Sequence, residues 1–237
     1  MMKSFLLLCV AWITFAVFPK NAQAIEIVTS HYPPLTNQHT DDGIINRLIL
    51  KAAKEVGLDV TFTYQPFNRL TKVWNEKDKL LLHPSSAFSD KRVTGFLFRS
   101  VFRSGISIMY KSSTSIPPSL QLTGINVGSV AFNALEVGIG ERLGVTMSSY
   151  PTMDSGIKML KADRIDAVFC ASIVCEYFKN ENQDVTFSSR HIETISIDLF
   201  LVKGSEEHSV ECYEKLAAAI RRQEIGIETL LPATEAH

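Results

Sequence analysis

Strand-like runs alternate with helical runs twice along this chain, and this alternation limits the possible folds more than any other feature. The first series predicts strand, helix, strand, helix and strand at residues 25–29, 44–56, 60–64, 67–74 and 80–82. In its first helix the apolar residues recur at helical spacing. Asp41 or Asp42 is placed to cap the start of this helix, and Gly57 is placed to close its end.

The same order returns in the second half, at residues 126–130, 134–143, 145–149, 155–162 and 165–169. Strands that alternate with helices of about ten residues form parallel sheets with helices on their faces. Two such series predict an α/β fold with two lobes, each a mostly parallel sheet flanked by helices, with a ligand cleft between them. The strand-like segments 96–111 and 185–203 are predicted crossovers between lobes, and a last helix, 210–224, packs back on the first lobe.

These patterns divide the chain into a signal peptide, 1–24, a discontinuous first lobe, 25–107 plus 192–237, and a second lobe, 108–191. Lys3 supplies a positive start, residues 5–18 are apolar and uncharged, and Ala22-Gln23-Ala24 is a small-x-small cleavage site. The apolar run is too short to span a bilayer, which takes about 20 residues. We therefore expect export to the periplasm through a signal peptide cleaved after Ala24.

Charge and cysteine content exclude several partners. The chain of 237 residues has 24 basic and 25 acidic residues, a formal net charge of −1, so it has no field that would collect nucleic acid. Cys9 lies in the signal peptide, so the exported chain has an odd number of cysteines and at least one free thiol. Cys170 and Cys175 either form a disulfide or are two free, buried thiols. Their spacing lacks the second pair that structural zinc needs.

The ends of the predicted strands locate the candidate site. In open α/β sheets ligands bind beyond the carboxyl ends of the strands. The residues that follow the predicted strands are His31, Tyr32, Gln65, Phe67, 83–86, 130–133 and 170–172. Two lobes that face each other with these ends across a cleft suit a small ligand.

Several segments together carry a resemblance to a known family. They are Tyr32-Pro33-Pro34-Leu35, Gly43-Ile44-Ile45, Pro66-Phe67-Asn68-Arg69-Leu70, Ser89-Asp90-Lys91-Arg92 and the segment 160–168. Through them the chain, over residues 25–224, resembles the family 3 extracellular solute-binding proteins, the polar amino acid-binding group that serves bacterial ABC importers. The resemblance implies a periplasmic-binding-protein-like fold that closes on its ligand like a hinge. It also implies a monomer without cofactor or metal, whose partner is an ABC permease or a membrane receptor.

We predict seven ligand-binding residues: Arg92, Tyr32, Phe67, Ser85, Arg69, Asn133 and Cys170. The resemblance implies the roles of Arg92, Ser85, Tyr32 and Phe67, whereas Asn133 and Cys170 are predicted from their place after strands, and Arg69 could point into the cleft. Arg92 stands where the family clamps the ligand carboxylate, for which a guanidinium offers two parallel donors. Ser85 stands at a hydroxyl or backbone contact, and Tyr32 and Phe67 form an aromatic wall. The alternatives are a surface position for Arg92, core packing for the other three, and a helix-face position for Arg69.

Two departures from the family pattern concern the ligand. Residues 170–172 provide no acid where amino acid binders pair a carboxylate with the ligand ammonium, and Phe132-Asn133 replaces a glycine-threonine pair. A desolvated ammonium without a charged partner costs several kcal/mol. An α-amino acid ligand therefore requires Glu136 or another acid in place of the missing group.

We expect a binding protein rather than an enzyme: one that captures a small polar or carboxylate-bearing, amino acid-like solute for import. A free sensor for a membrane receptor is one alternative. A cyclohexadienyl dehydratase-like enzyme is another, and its general acid would come from Glu136, Glu176, His31 or His83. The sequence shows no G-x-S-x-G motif, metal-ligand set or phosphate-binding glycine loop. The two histidines could instead be hydrogen-bonded at sheet edges.

Overall fold

The computed structural model describes residues 23–67, 69–70, 79–84, 96–119, 121–130, 133–202 and 207–223. The strands are β1 (Gln23–Thr29), β2 (Leu58–Tyr64), β3 (Lys79–Pro84), β4 (Phe96–Lys111), β5 (Asn126–Val130), β6 (Thr146–Tyr150), β7 (Ala167–Ala171) and β8 (Phe187–Val202). The helices are α1 (Ile44–Val56), α2 (Ala134–Leu143), α3 (Met153–Lys161), α4 (Ser172–Glu181) and α5 (Glu207–Gln223). The helix predicted at 67–74 lies mostly outside the described residues.

The described strands form one sheet in the order β2-β1-β3-β8-β4-β7-β5-β6. β1 pairs in parallel with β2 and β3, and β5 pairs in parallel with β6 and β7. Between these two sets run β4 and β8, antiparallel to each other and 16 residues long each. The predicted two-lobed α/β fold is confirmed. We call β1–β3 with α1 and α5 the first lobe, and β5–β7 with α2–α4 the second lobe.

Helix α1 forms at the predicted residues and buries one face. Its buried residues are Ile44, Ile45, Asn46, Leu48, Ile49, Ala52 and Ala53. Gly57 ends the helix in the left-handed region, with φ 69°, where glycine is favoured.

The predicted cap of α1 by Asp41 or Asp42 is wrong. The N-cap is Gly43, and no side chain caps the helix. A Cβ atom at this position would lie 2.5 Å from the carbonyl oxygen of Leu35. The loop after β1 therefore approaches the helix so closely that only glycine fits. This tertiary contact explains why glycine occupies the N-cap position.

Two of the three second-lobe helices, α2 and α3, begin at side-chain caps. The Asn133 side chain accepts the backbone N–H of Glu136 at the start of α2. Helix α3 begins at Met153, two residues earlier than predicted, because the Thr152 side chain accepts the N–H of Ser155 and caps the first turn.

Buried apolar side chains form two clusters. The larger one runs through both lobes, from Ile27 on β1 through Phe67 to Met153 on α3. The smaller one lies in the second lobe and includes Ile139 on α2 and Phe169 on β7. Because the larger cluster is continuous across the cleft, the lobes are in contact in this structure.

Helix α5 returns the chain to the first lobe, where it contacts α1, β1 and β3. Arg222 Nη2 lies 2.6 Å from Glu55 Oε1 on α1, an exposed pair that contributes little to stability. Cys212 is buried on this helix as a free thiol. Within the described residues, no helix combines the length and apolar character needed to cross a membrane.

Candidate ligand-binding cleft

A cleft between the lobes is lined by side chains from the carboxyl ends of the strands. Its cavity volume is about 80 Å³ in this structure, in which the two lobes are in contact. The lining comes from the segment after β1, from the end of β2 and the residues after it, from the last residue of β5, and from the segment between β6 and the start of α3. The lining residues are Ser30, His31, Tyr32, Gln38, Tyr64, Gln65, Pro66, Phe67, Val130, Pro151, Thr152 and Met153. This is the edge at which ligands bind in open α/β sheets.

Tyr32 reaches from the first lobe to the second. The loop after β1 holds it by a hydrogen bond from its N–H to the Thr36 carbonyl oxygen, 2.9 Å long. Its hydroxyl accepts a hydrogen bond from the backbone N–H of Ala171, and Glu136 lies close enough to act on it electrostatically. Burial, and next the charge of Glu136, raise the pKa of Tyr32. The phenol is therefore neutral at physiological pH.

Tyr64 orders one wall of the cleft. Its hydroxyl lies 2.9 Å from Asn46 Nδ2, 2.8 Å from the Asn37 carbonyl oxygen and 2.5 Å from Asp41 Oδ1. Burial, followed by the hydrogen bond with Asp41, raises the pKa of Tyr64. Tyr64 is not among the predicted ligand-binding residues, although it is the last residue of a predicted strand, directly before the candidate Gln65. Its position at the end of a predicted strand is the sequence signal that could have identified Tyr64 as a cleft residue.

Glu136 is a buried acid at the end of the second-lobe sheet, and its side chain is 1% exposed. Its Oε2 lies 2.6 Å from the Ser129 hydroxyl, and the carboxyl also takes a backbone hydrogen bond from Val130. Burial outweighs these two hydrogen bonds and raises the pKa of Glu136 to about 8. Most molecules therefore carry a protonated Glu136 at neutral pH in this conformation.

His31 faces Asp154 across the cleft. Its Nδ1 accepts the backbone N–H of Gln38 at 3.0 Å, so the neutral ring carries its proton on Nε2. Nε2 lies 3.7 Å from Asp154 Oδ2 on α3. Burial lowers the pKa of His31 more than Asp154 raises it, and the nearby His39 lowers it further. The ring is therefore neutral at pH 7.

Two of the predicted ligand-binding residues, Tyr32 and Phe67, line the cleft together. Their contact with a solute stays a prediction. Arg92 and Ser85 lie outside the described residues, as does the side chain of His83.

Asn133, Arg69 and Cys170 do not line the cleft. Asn133 is occupied as the cap of α2, and Arg69 is exposed. Cys170 is fully buried. Strand β7 ends two residues later than predicted, at Ala171, so Cys170 is a strand residue whose side chain packs in the core.

A disulfide joins Cys170 on β7 to Cys175 on α4, with Cα atoms 5.6 Å apart. Helix α4 begins at Ser172, directly after β7, so its first turn folds back over the strand end. The Ser172 hydroxyl lies 2.9 Å from that of Ser107 on β4, which ties this turn to the crossover strand. The sequence alone left the pairing open because it depends on this tight strand-to-helix turn.

The remaining acid considered in the enzyme alternative, Glu176, is outside the cleft lining. It is exposed and pairs with Lys179, whose Nζ lies 2.8 Å from Glu176 Oε1. Among the residues that the structure describes, no group of three or more His, Cys, Asp or Glu side chains is placed to hold a metal ion.

Comparison with known proteins identifies the fold. No protein-family model matches the chain, and no curated protein matches it. An ancestral arginine-binding protein bound to glutamine superposes with a TM-score of 0.72 at 16% identity, over 88% of this chain and 96% of that one. An amino acid ABC transporter substrate-binding protein from Streptococcus pneumoniae, bound to L-arginine, gives 0.67 at 16% identity, over 88% and 93%. This chain has the fold of these binding proteins.

A third structure with this fold is the GluR0 ligand-binding core from Nostoc punctiforme in complex with L-glutamate. It superposes with a TM-score of 0.65 at 15% identity, over 87% of this chain and 96% of that one. At such low identity the similarity establishes the fold, and function must be argued from the site.

Proposed function

We propose that the protein is a periplasmic solute-binding protein that captures a small, polar, amino acid-like solute for an ABC importer. The observation that carries this proposal is the cleft, in which aromatic and polar side chains of both lobes face each other at the carboxyl ends of the strands. The structures named above share the fold and hold glutamine, L-arginine or L-glutamate.

Binding would couple to movement of the lobes about the two crossover strands. Among the described residues, two polar contacts cross the cleft, Tyr32 with Ala171 and His31 with Asp154. Both come from the loop after β1, so a solute between the lobes would meet this loop directly. We place the lobe boundaries within β4 and β8, which gives a first lobe of 25–107 plus 192–237 and a second lobe of 108–191.

Within this proposal Arg92 clamps a solute carboxylate, and Ser85 adds a hydroxyl or backbone contact. Both assignments rest on the family resemblance. Tyr32 and Phe67 supply the aromatic wall, for which their place in the lining is the support. The mature protein would be a periplasmic monomer, cleaved after Ala24, that delivers its solute to a permease.

A thermal-shift screen of the chain from Ile25 onward tests the proposal. The screen covers amino acids, carboxylates without an amine, and amines. A solute at 100 times its Kd adds about 2.7 kcal/mol to the free energy of unfolding, roughly 5–10 °C in Tm for a chain of this size. Arg92→Ala should abolish the shift for carboxylate-bearing solutes. Silence across the whole panel would contradict solute binding.

A sensor for a membrane receptor is the second candidate, because a protein described only as a ligand-binding core has the same fold. Deleting the gene separates the two functions. Loss of uptake of the bound solute supports import, while intact uptake with a lost transcriptional or chemotactic response supports sensing. Turnover of prephenate or arogenate would replace both with the enzyme alternative.

A further inference from the structure

We propose that His31 is a pH switch of the cleft: when its ring takes up a second proton, the loop after β1 loses the conformation seen here and the protein binds its solute less tightly. The inference rests on the proposed solute-binding function and goes further by assigning a mode of regulation to the same site. Three features support it: the hydrogen bond that the ring accepts, the position of this bond in the loop, and the burial of the ring.

The ring of His31 acts as a hydrogen-bond acceptor in this structure. Its Nδ1 accepts the backbone N–H of Gln38 at 3.0 Å, and only a neutral imidazole has a ring nitrogen that can accept. An imidazolium carries a hydrogen on both nitrogens. Protonation therefore turns Nδ1 into a donor that faces the Gln38 N–H, and the bond between them is lost.

This hydrogen bond closes the loop that follows β1. Inside it, the Tyr32 N–H donates to the Thr36 carbonyl oxygen at 2.9 Å, and the Thr36 N–H donates back to the Tyr32 carbonyl oxygen at 3.1 Å. The Thr36 hydroxyl also donates to the Ser30 carbonyl oxygen at 2.7 Å. The loop residues that line the cleft are Ser30, His31, Tyr32 and Gln38. Loss of the bond at the His31 ring therefore acts directly on the lining of the cleft.

Burial makes the imidazolium unfavourable in this conformation. The His31 side chain is 12% exposed, and its Nε2 lies 3.7 Å from Oδ2 of the half-exposed Asp154, beyond hydrogen-bond distance. Burial lowers the pKa of His31, Asp154 raises it by less, and His39, whose ring centroid is 5.1 Å away, lowers it further. The pKa therefore lies below the ordinary value of 6.5.

The sign of the pH effect follows from this lowered pKa. A His31 ring that is released into water binds a proton more strongly than the ring held in the loop. The conformation seen here is therefore fully favoured above pH 6.5 and loses stability as the pH falls through the lowered pKa of His31. Acid releases the loop, and the cleft loses its ordered lining.

The other titratable groups at the mouth of the cleft do not share this role. Tyr32 and Tyr64 line the cleft, and Tyr177 on α4 lies near Asp154. Burial raises the pKa of all three phenols, so they stay neutral in acid. Asp42 and Glu181 act on Tyr177 and are not among the groups that shift the pKa of His31. His31 is therefore the group of the described lining that changes its charge between about pH 5 and pH 7.

An NMR titration of the imidazole nitrogens tests the switch without any solute. The His31 signal, identified by its absence from His31→Gln, should show an unprotonated Nδ1 at pH 7 and should titrate below pH 6.5. The Gln38 amide signal should change with the same midpoint. Asp154→Asn should move the midpoint to lower pH, because the aspartate charge favours the imidazolium. A midpoint at or above pH 6.5, or a Gln38 amide that does not follow it, would overturn the inference.

The affinity for L-glutamine at pH 7 and at pH 5 tests the effect on binding, since the charge of this amino acid is the same at both. Glutamine is held by one of the structures with this fold. We expect the wild type to bind it less tightly at pH 5, by about threefold or more. His31→Gln can accept the Gln38 N–H through its amide oxygen at either pH, so its two affinities should be equal. His39→Gln, exposed on the same loop, should lose affinity in acid like the wild type.

The outcomes separate this inference from the proposed function. Equal affinities of the wild type at the two pH values would overturn the inference and leave the proposed function standing, as would a loss of affinity that persists in His31→Gln. If neither L-glutamine nor any solute of the thermal-shift screen binds, the proposed function is overturned, while the NMR titration still decides whether His31 controls the loop.

Discussion

Folding removes the carboxyl group of Glu136 from water. The carboxyl then forms hydrogen bonds with Ser129 and Val130, and it interacts electrostatically with the phenols of Tyr32 and Tyr150. Burial raises its pKa to about 8 in the folded protein, from an ordinary value of 4.5. Between these two values the folded protein holds a proton that the unfolded chain has lost. The free energy of unfolding therefore falls as pH rises through this window.

Glu136→Gln should remove this pH dependence, because glutamine keeps the hydrogen bond to Ser129 and cannot ionise. Relative to the variant, the wild type should lose up to about 1.4 kcal/mol of unfolding free energy per pH unit between pH 5 and pH 7.5. Urea denaturation at several pH values measures the slope, and Glu141→Gln should follow the wild type. If the free energy of unfolding depends on pH in the same way in the wild type and in Glu136→Gln, burial does not raise the pKa of Glu136.

At the scale of elements, prediction from sequence succeeded where the determinants are local. Helical spacing and Gly57 located α1, and the repeated strand-helix order predicted the sheet of each lobe. Prediction failed where contacts between residues distant in the sequence determine the structure. Gly43 is selected by its contact with Leu35, and the burial that raises the pKa of Glu136 exists only in the folded protein. Five of the twelve residues that line the cleft were therefore predicted from strand ends, while the pKa shifts beside the cleft required the folded structure.

The disulfide between β7 and α4 should stabilise the element boundary beside the cleft. Closing a loop this short removes about 2 kcal/mol of conformational freedom from the unfolded chain. We expect dithiothreitol to lower the free energy of unfolding of the wild type by about this amount. The Cys170→Ala, Cys175→Ala double variant should start at the lower value and not respond. Cys212→Ala keeps the disulfide and should respond like the wild type. If the reductant lowers the free energy of unfolding equally in all three proteins, this effect does not come from the disulfide.

At the scale of the whole molecule, the lobes are joined in two different ways. The strands β4 and β8 run between both parallel sets and hold them in one sheet. Across the cleft, the described polar contacts are made by two adjacent residues, His31 and Tyr32, with Asp154 and Ala171. The crossover strands are continuous backbone and keep the lobes connected, whereas the contacts across the cleft are side-chain interactions that can separate.

Tyr32→Ala should therefore open the solute-free protein without unfolding it. The variant loses the hydroxyl contact with Ala171 and the ring that links the two lobes within the larger core cluster. Small-angle X-ray scattering should show a radius of gyration above that of the wild type, for which about 17 Å is expected at this length. Tyr32→Phe, which keeps the ring, should fall between the two. Tyr110→Ala removes a ring packed on the smaller cluster and should leave the radius unchanged. If Tyr32→Ala has the same radius as the wild type, the other residues of the larger cluster keep the lobes in contact without Tyr32.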